Sequence, residues 1–190
     1  MFEAVEGAED STELAINDLK NIKLSERDTV IAIAASGRTP YAISSINYAN
    51  QIGALSISVT CNDNNEMKDI AQIAISPVVG PEVITGSTRM KSGTAQKMVL
   101  NMISTGVMIK MGYVYENLMI NVQPTNEKLI NRAEKILTQI LKIEREYAST
   151  LLKEAKNNVA AAIIMNKKSV NYESAIKILG DNNGQVRNII

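Results

Sequence analysis

Apolar and polar positions follow one another along the chain in the order typical of a parallel α/β domain. Continuous runs of β-branched and small apolar residues predict strands that are buried on both faces of a sheet. They span residues 29–35, 54–60 and 73–79. Thr39 and Pro40 supply a helix N-cap and a proline at the first helical position, and Gly53 ends that helix. The alternation of strand, loop and helix predicts right-handed crossovers between parallel strands.

Helical spacing of apolar residues predicts further helices on both sides of the third strand. They cover residues 9–21, 66–70, 88–111 and 126–143, and three short amphipathic segments follow at 151–155, 159–165 and 172–179. The helix from residue 88 is apolar nearly all round, which predicts burial between the sheet and a partner subunit, with Met98, Met102 and Met108 as core residues. We therefore expect a sheet domain over residues 1–122 and a small helical appendage over 123–190.

Composition excludes several classes of protein and site. The chain has 190 residues with 20 Lys and Arg against 20 Asp and Glu, so no net charge directs it to nucleic acid or to a membrane surface. Histidine is absent, which excludes Ser-His-Asp and Cys-His nucleophiles and histidine-ligated metals. The single Cys61 rules out an internal disulfide, and no targeting segment or membrane span is visible. We expect a cytoplasmic protein whose acid–base chemistry uses Glu, Asp, Lys or Tyr.

Two loops rich in Ser, Thr, Gly and Arg carry the candidate chemistry. The first, Ser36-Gly37-Arg38-Thr39, follows the first predicted strand and precedes a helix. Hydroxyl groups and glycine let the backbone approach an anion, while the helix directs free N–H groups at it. The loop therefore predicts contact with a phosphorylated small molecule, although a plain strand-to-helix turn with a Thr cap explains the same residues.

The second loop runs from Thr85 to Lys97 and contains Ser87, Arg89, Lys91 and Gln96. Arg89 and Lys91 are predicted in the first turn of a helix, where the dipole disfavours cations by up to about 1 kcal/mol each. A bound anion would reverse that penalty. The alternative is that both side chains extend into solvent or pair with Glu82. Gln96 is a candidate donor to a sugar hydroxyl.

Four motifs occur in a familiar order along almost the whole chain. They are Val5-Glu6-Gly7-Ala8-Glu9-Asp10, the loop at 34–40, the loop at 86–97 and Pro124-Thr125-Asn126-Glu127-Lys128-Leu129. In these motifs the chain resembles the N-acetylmuramic acid 6-phosphate etherases, bacterial enzymes of the SIS domain superfamily. The resemblance implies a flavodoxin-like, doubly wound α/β fold with five parallel strands, of which this chain holds an N-terminally incomplete portion.

The same resemblance implies a role for Glu9. Taken alone, Glu9 belongs to a solvated acidic helix start, but its counterpart in the etherases is one of two catalytic glutamates, with Glu6 as its neighbour. The other glutamate and a first phosphate loop lie upstream of Met1 in that family. We therefore expect a fragment, a misassigned start or a natural short form, with impaired activity.

The reaction that the resemblance implies is cleavage of the lactyl ether of N-acetylmuramic acid 6-phosphate, giving N-acetylglucosamine 6-phosphate and D-lactate in cell-wall sugar recycling. It requires an acid and a base but no metal or organic cofactor. The implied partners are a phosphorylated amino sugar and a second copy of the chain in a homodimer. Two alternatives stay open: a non-enzymatic sugar-phosphate-binding regulator of the same superfamily, and a non-functional remnant of a broken gene.

Overall fold

The computed structural model of the protein describes residues 7–190, and the chain divides into two compact units between Met102 and Ile103. The first described element of the first unit is a short 3-10 helix, Ala8–Asp10. The elements that follow it are α1 (Thr12–Asn21), β1 (Thr29–Ile33), α2 (Pro40–Ile52), β2 (Leu55–Val59), α3 (Glu66–Ile70) and β3 (Ile73–Ile75). Helix α4 (Lys91–Lys110) crosses the division between the units.

The three strands form the predicted parallel sheet in the order β1-β2-β3. Thr29 is opposite Leu55, and Ile57 is opposite Ile73. Each strand is shorter than its apolar run, because the residues that follow the strands turn into loops at the carboxyl edge of the sheet. In open parallel sheets this edge is where ligands bind.

Helix α2 covers one face of the sheet. Thr39 occupies its N-cap position, Pro40 is its first residue, and Gly53 ends it with a left-handed φ of 80°. The buried side chains of this layer are Val30, Ala32, Ala34, Ala42, Ile46, Ala49, Ala54 and Met67. Most of them are small, so helix and sheet approach closely. Local sequence signals predicted this strand-helix unit correctly.

The opposite face of the sheet is partly uncovered. Ile33 and Ile73 are 44% and 45% exposed, and Leu55 is 36% exposed. The expectation that the strands are buried on both faces is therefore wrong for the first and the third strand of this chain. The physical reason is that α2 packs on the face carrying Val30 and Ala32, whereas alternate residues point the other way.

The second unit is a helical assembly with a small hairpin. Its elements after α4 are β4 (Val114–Tyr115), β5 (Leu118–Met119), α5 (Glu127–Leu141), α6 (Arg145–Glu154), α7 (Val159–Lys168) and α8 (Tyr172–Asp181), followed by a 3-10 helix, Val186–Asn188. The antiparallel β4–β5 pair was not predicted, because two-residue strands leave almost no periodic signal. Buried aliphatic residues of α5, α6, α7 and α8 form one core.

Helix α4 departs from its prediction at its start and in its packing. It begins at Lys91 rather than at Thr88, so Arg89 precedes it. Its buried residues are Ser92 and Val99, whereas Met98, Met102 and Met108 are 51%, 61% and 44% exposed. The interpretation of these methionines as core residues is therefore wrong within this chain. In residues 7–190 no helix is long and apolar enough to cross a membrane.

Candidate functional site

The first loop turns sharply at Gly37, between β1 and α2. Gly37 has a φ of +69°, and its N–H donates to the Ala34 carbonyl at 3.0 Å. The N–H of Arg38 donates to the Ser36 Oγ at 3.3 Å. Thr39 then occupies the N-cap position of α2, but its hydroxyl makes no capping hydrogen bond to the helix. The chain thus directs two hydroxyl side chains, Ser36 and Thr39, to the carboxyl edge of the sheet.

The side chain of Asn65 packs against this turn. A Cβ at position 37 would overlap the Cβ, Cγ and Oδ1 atoms of Asn65, so only glycine fits. Asn65 is buried; its Oδ1 caps α3 by accepting the Lys68 N–H at 2.9 Å, and its Nδ2 donates to the Thr60 Oγ1 at 3.2 Å. The Met67 N–H donates to the Gly37 carbonyl at 3.3 Å. The start of α3 and the first loop therefore form one packed unit.

A cleft of about 520 Å³ opens beside the first loop and contains Glu9. Its lining residues that carry polar side chains are Glu9, Ser36, Thr39, Tyr41 and Thr88. Glu9 is exposed and lies in the 3-10 helix before α1, because Ser11 caps α1 by accepting the Leu14 N–H at 3.1 Å. The structure thus brings together Glu9 and two of the first loop's predicted residues. Glu6 lies outside the described residues.

Tyr41 lines this cleft and links two helices of the first unit. Its hydroxyl donates to the Asp18 Oδ2 at 2.8 Å, which ties α2 to α1. The hydrogen bond to Asp18, then partial burial and the nearby charge of Asp18, raise the pKa of Tyr41 above its ordinary value. The phenol therefore stays protonated at neutral pH.

A second cleft of about 450 Å³ adjoins the first, and Ala35, Ser36 and Thr88 line both. The polar side chains lining it belong to Ser36, Cys61, Asn62, Glu82, Thr85, Ser87, Thr88 and Ser92. The Cys61 thiol donates to the Ser92 carbonyl at 3.6 Å, which links the end of β2 to α4. The two predicted loops therefore meet at a surface built mainly from hydroxyl groups.

Glu82 occupies the N-terminus of α4. Its Oε2 accepts the N–H of Lys91 at 2.9 Å, and its Oε1 accepts the N–H of Ser92 at 3.1 Å. These backbone hydrogen bonds hold the pKa of Glu82 below its ordinary value. The anion at this helix N-terminus is thus a carboxylate of the chain itself. Sequence reasoning considered Glu82 only as an ion-pair partner, because the capping residue precedes the helix by nine positions instead of the usual few.

The predicted cations line neither cleft. Arg89 and Lys91 line a shallow depression of about 830 Å³ with Val79, Met90, Thr94 and Ala95. The Lys91 ammonium donates to the Pro81 carbonyl at 2.9 Å instead of pairing with the Glu82 side chain. Arg38 is exposed and lines neither cleft. A phosphate in these clefts would therefore be bound by hydroxyl and backbone N–H groups.

Gln96 also lies outside both clefts. It is in the second turn of α4, and within residues 7–190 its Nε2 atom is buried with no hydrogen-bond partner. A buried amide donor without a partner costs about 1–3 kcal/mol. Thr88, which lines both clefts, was not singled out from the sequence, although its place beside Ser87 could have identified it. Within the described residues no cluster of His, Cys, Asp or Glu could hold a metal ion.

Comparison with known proteins gives a consistent result. A family model described as the SIS domain matches residues 9–105. N-acetylmuramic acid 6-phosphate etherase 1 of Enterococcus faecalis is 56% identical over 190 residues, which is 100% of this chain and 63% of the relative. The etherase of Lactobacillus acidophilus is 54% identical over 190 residues, or 64% of its length. That of Clostridium botulinum strain Okra is 55% identical over 186 residues, or 98% of this chain and 62% of the relative. The chain thus spans a little under two thirds of these relatives.

Proposed function

We propose that this chain, which belongs to the SIS domain family, acts on N-acetylmuramic acid 6-phosphate as part of an etherase. The observation that carries the proposal is the shared cleft: Glu9 and the hydroxyls of Ser36 and Thr39 line one cavity, and Ser87 lines the cavity beside it. Relatives named as etherases are 54–56% identical over the whole chain, which supports the same substrate class.

The clefts suit the phosphate of a hexose 6-phosphate. Ser36, Thr39, Ser87 and Thr88 offer hydroxyl donors at the carboxyl edge of the sheet, and α2 begins at the same place. Among the described residues, the charged side chains that line the two clefts are those of Glu9 and Glu82, and both are acidic. An anion is therefore bound there by hydrogen bonds rather than by charge neutralisation. We assign Ser36, Thr39 and Ser87 to phosphate binding, with Gly37 acting through the turn that it forms, whereas the other predicted binding residues, Arg38, Arg89, Lys91 and Gln96, line neither cleft and receive no phosphate contact in this proposal.

Glu9 is proposed as one of the two carboxylates of the reaction. A base removes the proton at C2, which the C1 aldehyde of the open-chain sugar acidifies, and the C3–O bond to lactate breaks. An acid donates the proton that the departing lactate oxygen needs, and water then adds to the enal at C3. Each positioned acid or base contributes about 10²–10⁴-fold to the rate. Glu82 does not suit the second role, because two backbone N–H groups hold its carboxylate and lower its pKa.

One observation favours a second candidate, binding without turnover. Glu9 is the single acidic side chain lining the first cleft among residues 7–190, and the acid of the second cleft is engaged with α4. A polypeptide of these 190 residues alone would then bind the sugar phosphate but release lactate slowly. A sugar-phosphate-binding regulator would have the same property.

We further propose a homodimer in the cytoplasm, with the sheet domain over residues 1–122 and the helical region over 123–190. Exposed apolar side chains on α4 and on the free face of the sheet support the dimer, since a soluble monomer rarely exposes a large apolar patch. They include Ile33, Leu55, Ile73, Met98, Met102 and Met108.

Lactate release from N-acetylmuramic acid 6-phosphate tests the enzymatic proposal. The assay compares lactate release by three proteins. They are the 190-residue chain, the Enterococcus faecalis relative, and a chimaera in which the residues of that relative that precede the matched region are joined upstream of this chain. We expect near-background release from the chain alone and release from the chimaera. In the chimaera, Glu9→Gln should lower turnover by about 10²–10⁴-fold while the affinity for the sugar phosphate is retained. Full turnover by the Glu9→Gln chimaera would refute the role of Glu9, and equal rates for chain and chimaera would show that one carboxylate suffices.

A further inference from the structure

A side chain from outside the two predicted loops, that of Glu82, forms hydrogen bonds with the backbone of the second one. Residues 83–90 leave the sheet edge, carry Ser87 and Thr88 past the first loop, and return to α4 at Lys91. Every residue of this segment is exposed. An exposed segment without regular structure has little packing to fix its conformation, so its ends must be fixed by other contacts.

Glu82 connects the two ends of the segment. It immediately precedes residue 83, and its carboxylate bonds the N–H groups of Lys91 and Ser92 just after residue 90, at 2.9 and 3.1 Å. The Lys91 ammonium reaches back to the Pro81 carbonyl at 2.9 Å. Three hydrogen bonds thus close residues 83–90 into a loop. Ser92 is buried, and its carbonyl accepts the Cys61 thiol, which anchors the loop to the end of β2.

We infer that Glu82 is a positioning residue that holds Ser87 and Thr88 opposite Ser36 for ligand binding. The inference rests on the proposed sugar-phosphate function, because it gives the two hydroxyls their ligand. It also predicts a change in phosphate affinity of the opposite sign from simple electrostatics. Glu82 lines the cleft, so Coulomb repulsion alone would make its neutralisation strengthen phosphate binding. A positioning role makes neutralisation weaken it.

The test combines amide hydrogen exchange with calorimetry on the 190-residue chain, using N-acetylglucosamine 6-phosphate as the probe. Glu82→Gln removes the charge and turns an N–H₂ group toward the N–H groups of α4, so one of the two bonds is lost. We expect exchange over residues 83–92 to rise by about tenfold and affinity to fall several-fold. Glu13→Gln is the matched control, since Glu13 lies in the first turn of α1 and lines neither cleft. It should change neither quantity.

Glu82→Asp serves as a second variant that keeps the charge while shortening its reach, and its exchange and affinity should lie between those of the wild type and Glu82→Gln. Unchanged exchange in Glu82→Gln would overturn the inference. Faster exchange with unchanged affinity would also overturn it, because that result indicates a structural role only. Tighter binding would overturn it as well, because it indicates that Glu82 competes with the phosphate for the N-terminus of α4. If Glu82→Gln does not fold, wild-type affinity in Glu82→Asp overturns it. No binding by the wild type would refute the proposed function, and the exchange rates would still show whether Glu82 holds the loop.

Discussion

Replacing Gly37 by alanine should destabilise the protein far more than the same change at Gly53. Both glycines have a left-handed φ, +69° and +80°, so alanine strains the backbone at either position. The strain is about 1–2 kcal/mol per residue. The two positions differ in what the added methyl group meets: at 53 it would lie 3.8 Å from the Cβ of Glu26, an ordinary contact, whereas at 37 it would overlap Asn65.

The difference between the two variants measures the packing of Asn65 against the turn. To admit the methyl group, Asn65 must move, and it then loses the cap of α3 and its bond to Thr60. A lost cap and a lost buried hydrogen bond cost about 1 kcal/mol each. We therefore expect a loss of unfolding free energy of about 1–2 kcal/mol for Gly53→Ala and about 3–4 kcal/mol for Gly37→Ala.

Urea denaturation followed by circular dichroism provides both numbers, and calorimetry with N-acetylglucosamine 6-phosphate at a temperature where both variants are folded adds the functional comparison. Gly37→Ala should bind more weakly because Ser36 moves with the turn, while Gly53→Ala should bind like the wild type. Equal destabilisation by the two substitutions would refute the idea that Asn65 clamps the first loop.

Three further predictions concern single groups and assembly. Ser36→Ala should weaken binding of N-acetylglucosamine 6-phosphate by about 1–2 kcal/mol, the scale for a hydrogen bond to a charged group, and unchanged affinity by calorimetry would count against it. The hydrogen bond to Asp18 raises the pKa of Tyr41, so ultraviolet titration should show the Tyr41 phenol ionising above the ordinary tyrosine range. Any stability from this bond is present at neutral pH and is lost as the pH rises through the raised pKa. Asp18→Asn should return the pKa of Tyr41 toward its ordinary value. Light scattering at micromolar concentration should give twice the 20.7 kDa chain mass, and a monomer would contradict the proposed dimer.

Local signals in the sequence predicted the elements that position the site. The Thr39-Pro40 start and the Gly53 end of α2 are confirmed, and the predicted helix at 66–70 has the bounds of α3. Each of these depends on neighbouring residues, through a cap, a proline or a glycine with positive φ. The parallel sheet followed from three apolar runs separated by helical segments.

Features set by contacts distant in sequence were missed. Glu82 caps α4 from nine residues away, so the helix starts at Lys91 and Arg89 lies outside it. The clamp of Asn65 on Gly37 joins positions 28 residues apart. The prediction that Met98 and Met102 are core residues is wrong within this chain for another reason: an apolar helix face indicates that something covers it, but not that the cover belongs to the same chain.

The most direct test of a phosphate site built from hydroxyl groups is a crystal structure of the chain with N-acetylglucosamine 6-phosphate. We predict phosphate oxygens within hydrogen-bond distance of the Ser36 and Ser87 hydroxyls, with the sugar ring extending toward Glu9. A phosphate bound instead against Arg89 and Lys91, or in the cavity of the helical unit beside Lys156 and Asn157, would contradict this site.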